Sequence, residues 1–114
     1  MKKQFNNNRA EKIASKVQIL AAEILRDKFS DDAILSRVNL VGAESHGGLQ
    51  FVKIFFYADE KEKALRRLEE IKNILRYELA ARMDQRYVPD FKFVYDDTLE
   101  KSARIDALLA EIKL

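Results

Sequence analysis

The residues of this chain that could do chemistry are mostly cations, and they are unevenly spread. Lys2, Lys3, Arg9, Lys12 and Lys16 stand against a single acid, Glu11, within residues 1–16. Lys72, Arg76, Arg82, Arg86 and Lys92 stand against Glu78, Asp84 and Asp90 within residues 71–95. The tail reverses the sign: Asp96, Asp97, Glu100, Asp106 and Glu111 outnumber Lys101, Arg104 and Lys113. Long cationic side chains gathered on one surface neutralise phosphates and hold a polyanion without reading its sequence. The whole chain carries only +2, so a mixed, solvated surface is the competing reading. Arg9, Lys12 and Lys16 recur at helical spacing and can line one side of a helix. Arg82 and Arg86, four apart, share a face, whereas Arg76 and Arg82 lie about 120° apart around a helix. Arg76 and Arg86 could instead pair with Asp84, Glu78 or Asp96 and hold the fold.

Other chemistry is largely excluded. Cysteine is absent, which removes disulfides, thiol nucleophiles and cysteine-ligated metals. The single histidine, His46, sits in Glu44-Ser45-His46-Gly47-Gly48 without a catalytic partner and reads as part of a turn. Asp96 and Asp97 are adjacent at a strand end, so they point to opposite sides and form no paired acid–base site. Neither a Gly-rich phosphate loop nor a nucleophile motif is present. The chain reads as non-catalytic, with no metal and no cofactor. Phe51, Phe55 and Tyr57 around Lys53 could stack unpaired bases, or serve as core.

The elements that must position these residues follow from hydrophobic spacing. With 114 residues, 47% apolar and 35% charged, the chain is one globular domain rather than two or a disordered tail. No apolar run approaches the roughly 20 residues of a membrane span, and the N-terminus lacks a signal-peptide core, so a cytoplasmic location is expected. Asn8 with Glu11 predicts a cap, followed by a helix from about Arg9 to Lys28 carrying Ile13, Val17, Leu20, Ala21, Ile24 and Leu25. Ile34, Val38 and Leu40 alternate and predict a strand to about Ala43. A hairpin loop over Glu44–Gly48 and a strong strand over Leu49–Tyr57 come next. Asp59 is the expected cap of a long helical stripe, Ala64, Leu65, Leu68, Ile71, Leu75, Leu79 and Met83, which Pro89 ends. Phe91, Phe93 and Tyr95 predict a third strand. Asp97 with Glu100 then predicts a cap for a short helix bearing Leu99, Ala103, Leu108, Leu109 and Ile112, which could cover part of the sheet. Helices and three strands in the order α-β-β-α(α)-β-α make an α+β domain.

Several runs resemble one family. Leu75-Arg76-x-x-Leu79-x-x-x-Met83-x-x-Arg86-x-Val88-Pro89-x-Phe91-Lys92-Phe93-x-x-Asp96-Asp97-Thr98 is similar to the signature of ribosome-binding factor A (RbfA), an assembly factor of the bacterial small ribosomal subunit. Val52-Lys53-Ile54 and Arg104-Ile105-Asp106-x-Leu108-Leu109 match two further family runs. The resemblance implies a single type II KH-like domain over 1–114, with residues 1–8 flexible. It also implies two helices meeting at a kink before the third strand. This chain departs at Ile71-Lys72-Asn73, where the family has Ala-x-Gly. Asn73 tolerates left-handed backbone and could carry the kink; an unbroken helix is what periodicity alone favours. Ser102 stands for a common glycine and Thr98 for a frequent serine.

The resemblance further implies a partner, the immature 30S small subunit, and a role in late 16S rRNA maturation and processing. It implies release involving the assembly GTPase RsgA, a greater need in the cold, and no membrane. RNA contacts are then expected from Arg9, Lys12, Lys16, Lys72, Asn73, Arg76, Arg82, Arg86 and Lys92, on a monomeric protein. Two alternatives stay open: a small protein-interaction or homodimerising module that pairs with a partner through its aromatic sheet face, and a KH-type binder of single-stranded RNA with no ribosomal role, against which the missing GxxG loop counts.

Overall fold

Alanines at Ala10, Ala14 and Ala21, interleaved with Val17, Ile24 and Leu25, give the first helix a narrow buried stripe whose small residues let it lie close on a sheet. This helix, α1, spans Lys2–Lys28. It crosses the inner face of a three-stranded sheet built from β1 (Asn39–His46), β2 (Phe51–Tyr57) and β3 (Asp90–Tyr95). The structure is a computed structural model that describes residues 2–47, 51–83 and 88–112, with side chains from Arg9 to Glu111 within those ranges. Between β2 and β3 the chain forms α2 (Lys61–Glu70) and α3 (Lys72–Arg82), and it closes with α4 (Thr98–Ile112). The expected α+β order, with a break in the second helical segment and a short terminal helix, is the order observed.

The middle strand β2 pairs antiparallel with β1 and parallel with β3. Its alternation is the core signal: Val52, Ile54 and Phe56 are 1% exposed or less, beside Phe91 and Phe93 of β3. Against that face pack Ala64 and Leu68 of α2, Leu75 and Leu79 of α3, and the α1 stripe. Phe51, Lys53, Phe55 and Tyr57 point the other way and are half-buried.

Several local expectations are corrected. α1 begins at Lys2 rather than at an Asn8 cap; the expected flexibility of residues 1–8 concerns side chains outside those described. The segment from Ile34 is not yet strand. Asp32 Oδ1 accepts the N–H groups of Ile34 (2.9 Å) and Leu35 (2.8 Å), which starts a 3-10 turn over Leu35–Arg37 that buries Leu35. β1 therefore starts at Asn39 and continues through Glu44–His46, where a loop was expected. Its register skips Val41, a bulge between Leu40 and Gly42. Gly47 follows at φ 59°, a left-handed turn position that glycine occupies without a Cβ clash; Gly48 lies outside the described residues. Glu60, not Asp59, precedes α2, and it makes no side-chain cap.

The break between α2 and α3 falls on Ile71 alone, at φ −97° and ψ 8°, in the sparsely populated bridge region. Ile71 is 2% exposed, so core packing holds it there. Its N–H still donates to Arg67 O (3.2 Å), and its carbonyl accepts Leu75 N–H (2.9 Å). Asn73 lies inside the first turn of α3, and no non-glycine residue among those described has a positive φ. The kink thus forms without left-handed backbone at Asn73. At the other end, α4 does not cover the sheet: every described side chain from Thr98 to Glu111 is exposed. Asp97 holds the N-cap position, its carbonyl accepting Lys101 N–H at 3.0 Å, while the side chain of Asp96 accepts Thr98 N–H at 3.0 Å.

Asp32 also joins the turn to α2, since Arg67 donates to its Oδ2 from Nε at 2.9 Å and forms an ion pair with it, a terminal guanidinium nitrogen lying 2.8 Å away. The Leu35 N–H above all holds this carboxyl below its ordinary value near 3.8; burial opposes it, and Arg67 and the Ile34 N–H add to the lowering. A lowered folded-state pKa stabilises the fold fully above the unfolded value, and that stability is lost as pH falls through the folded one. Asp32→Asn is expected to cost about 1–3 kcal/mol at pH 7. The gap to wild type should narrow once the pH drops below the ordinary carboxylate range, and urea midpoints at pH 7 and pH 3 check it.

Candidate nucleic-acid interface

The buried stripe of α1 turns its opposite side to solvent, and Arg9, Lys12 and Lys16 are exposed there. At about 100° per residue they lie within about 60° of one another. None of the three enters an ion pair among the described residues. A shallow groove lined by Glu11, Lys12, Ser15, Lys16, Ile19 and Leu20 continues this surface. Cations held side by side without an internal partner keep their full charge for an external anion.

The cations of α3 are differently placed. Arg76 donates to Asp90 Oδ1 at 3.0 Å and lies 5.2 Å from the centre of the Phe91 ring. Lys72 stands 5.4 Å from the same ring centre, so the two cations share one aromatic ring. The hydrogen bond from Arg76 is the main reason the Asp90 carboxyl sits below its ordinary range. Arg82 reaches Asp27 (3.2 Å) and Glu23 (3.9 Å) on α1 and Glu78 (3.8 Å) on its own helix. With the Lys28–Glu78 pair at 3.3 Å, it ties α3 to α1. Arg82 is therefore engaged by three acids within the fold.

Asn73 is exposed in the first turn of α3. Lys92 is exposed on the opposite side of the sheet, because Phe91 and Phe93 on either side of it point inward. There it lies beside Lys53 of β2. Arg86 lies outside the described residues. The fold thus gathers Arg9, Lys12 and Lys16 on one helix and joins Lys72 to Arg76, while the sheet separates Lys92 from both groups.

Spacing alone did not single out Tyr77, which is 73% exposed, or its neighbour Ile74 at 47%. Asn73, Tyr77 and Ala81 follow at i, i+4 opposite the buried Leu75 and Leu79, and all three are exposed. The signal was present: a solvent-facing helical ridge without charge, where charged residues are the rule.

The remaining polar groups are occupied. His46 belongs to β1, not a loop; its ring stacks on Phe51 with centroids 5.3 Å apart, and Nε2 lies 3.3 Å from Glu44. Asp96 is held below its ordinary value chiefly by the Thr98 hydroxyl, and then by the Thr98 N–H. Among the described residues, no cluster of His, Asp or Glu is arranged to hold a metal.

The family model described as ribosome-binding factor A matches residues 9–109. Curated relatives called ribosome-binding factor A agree along nearly the whole chain. That of Prochlorococcus marinus subsp. pastoris is 35% identical over 114 residues, 95% of this chain and 86% of the relative. That of Macrococcus caseolyticus is 31% identical over 108 residues, 91% of this chain and 94% of the relative. The crystal structure of ribosome-binding factor A from Thermus thermophilus superposes with a TM-score of 0.66 at 21% identity, covering 78% of this chain and 93% of that one. At that identity the superposition speaks for the fold, and the sequence matches speak for descent. The Phe91 ring that carries Lys72 and Arg76, the broken helix before it and the Arg76-to-Thr98 run all fall inside the matched span, and the chain belongs to the ribosome-binding factor A family.

Proposed function

We propose that this protein binds the immature 30S small ribosomal subunit and assists late 16S rRNA maturation and processing without catalysing a reaction. Membership of the family over residues 9–109 carries the reading. The charge layout supports it: an α1 strip of Arg9, Lys12 and Lys16 suited to phosphates, with Lys72 and Asn73 at the helix break as a second contact. Arg76 and Arg82 then act mainly by holding α3 in place, and Lys92 meets RNA only where it wraps to the far side of the sheet. Arg86 completes the set by its place in the family signature. In this reading the protein works in the cytoplasm as a monomer, RsgA takes part in its release, and need for it rises in the cold, where misfolded RNA escapes slowly.

Co-sedimentation with purified small and large subunits across a salt series tests the proposal. Selective small-subunit binding, strongest with immature particles and weakened by salt, is expected. Equal binding to both subunits would reduce the interaction to general polyanion affinity. No binding at low salt would overturn the ribosomal reading.

A further inference from the structure

A cleft opens where the last turns of α1, the 3-10 turn and the start of β1 meet. It holds about 390 Å³, within the roughly 300–1,000 Å³ of small-molecule sites. The Asp32 carboxylate shapes it by winding the chain after α1 into that turn. Leu35 is thereby driven inward to 2% exposure, while Ser36 stays in solvent. Leu25, Leu35, Val38 and Leu40 give the cleft an apolar floor. Arg26, Ser30, Ser36 and Asn39, all exposed, line its rim. Gln18 Nε2 donates to the Leu40 carbonyl at 3.0 Å, which fastens α1 to β1 beside the cleft. Its two walls are therefore fixed to each other before anything binds.

We propose, resting on the RNA-binding reading above, that this cleft seats one unstacked nucleotide of single-stranded RNA, its base on the apolar floor and its phosphate on Arg26. Proteins that read RNA take bases out of the stack and bond their edges to polar groups. A base is a flat ring with an apolar plane and an edge of donors and acceptors. The cleft matches it with an apolar floor, and with two hydroxyls and an amide at the border. An aliphatic guest would leave those polar groups unpaired on binding.

The charges nearby favour an anion at the rim. Glu23 and Asp27 face Arg82, Lys28 pairs with Glu78, and Asp32 is held by Arg67. Within residues 23–39 that leaves Arg26, Asp31 and Arg37 without an ion pair among the described residues. Of these three only Arg26 lines the cleft, and no carboxylate does. A guanidinium so placed suits a phosphate. Its position along α1 fits as well. Lys12, Ile19 and Arg26 recur every seven residues and lie along one line of the helix, drifting about 20° at each step. Arg26 stands ten residues beyond Lys16, about 15 Å along the axis. A strand laid on the α1 cations reaches the cleft within a few nucleotides.

Fluorescence anisotropy of the whole protein with labelled hexaadenylate and hexauridylate tests this, with AMP as the free-nucleotide probe. Ser36→Leu, which fills the cleft, is expected to weaken the tighter hexamer several-fold at every salt concentration and to leave the salt slope unchanged. Arg26→Ala is expected to weaken it several-fold at low salt and to lower the slope by about 0.7, the share of one phosphate on a single strand. In nitrogen-15 spectra the hexamer should shift the amide signals of Ser30 and Asn39 in wild type and leave them in place in Ser36→Leu. Wild-type affinity in both variants, or unmoved amides, overturns the cleft proposal while small-subunit co-sedimentation still decides the ribosomal reading. AMP bound as tightly as the hexamers overturns it in favour of a free nucleotide. Absence of hexamer binding at low salt overturns it too.

Discussion

Replacing Arg9, Lys12 and Lys16 together by glutamate is expected to weaken small-subunit binding on the order of a hundredfold at low salt and to flatten its salt dependence by about 2 to 3 units. The three side chains are exposed, share one side of α1, and have no ion-pair partner among the described residues. Reversing them should leave the fold intact, because the helix is held from its other side by Ala14, Val17, Ala21 and Ile24, all fully buried. Reversing Arg82 instead should show a different signature. Three acids surround it, so Arg82→Glu leaves like charges facing one another across α1 and α3, and stability falls before binding does. Subunit co-sedimentation and urea unfolding on the same variants separate the two effects. Wild-type binding by the α1 triple variant would move the RNA-facing surface away from α1.

The second large effect is on stability. Phe56→Ala should destabilise the protein by about 3–5 kcal/mol, a large part of the 5–15 kcal/mol typical of a domain. Phe56 is fully buried in the middle strand, edge-on to Tyr95 with ring centroids 5.5 Å apart. Its carbonyl accepts the Asp96 N–H at 2.8 Å, at the corner where β3 hands over to α4. A cavity there touches both the central strand and the base of α4, so a shift of the urea midpoint with unchanged slope is the expected readout. A cost under about 1 kcal/mol would mean that the sheet is not packed as described, since removal of a buried phenyl ring is rarely so cheap.

What could be read from the residues, and what could not, divides along physical lines. β2 was evident because Val52, Ile54 and Phe56 alternate with a second set, and that period survives any tertiary context. The break at Ile71 was not, because Ala64, Leu68, Ile71, Leu75 and Leu79 keep an apolar spacing that a straight helix and a bent one satisfy equally. The bend rotates the axis without changing which side is buried. At Ile34 the error came from chemistry two residues upstream. The alternation Ile34, Val38, Leu40 looks like a strand, but the Asp32 carboxylate captures two N–H groups and winds the chain into a turn instead. Among the cations, the grouping of Arg9, Lys12 and Lys16 was accessible because it is local to one helix. The engagement of Arg82 was not, since Asp27 lies 55 residues away and sequence spacing says nothing about such a partner.

The skipped register at Val41 bears on how the protein behaves when many copies meet. A three-stranded sheet has two bare margins, and a straight strand at a margin invites the same strand of another molecule to add to it, the first step toward aggregates. In β1 the bulge interrupts the evenly spaced row of outward N–H and carbonyl groups midway, between Leu40 and Gly42. An incoming straight strand could match the row before the bulge or after it, not both. The irregular residue, itself 48% exposed, thereby works as a guard on the sheet's open margin and favours solubility at the concentrations a working cell demands.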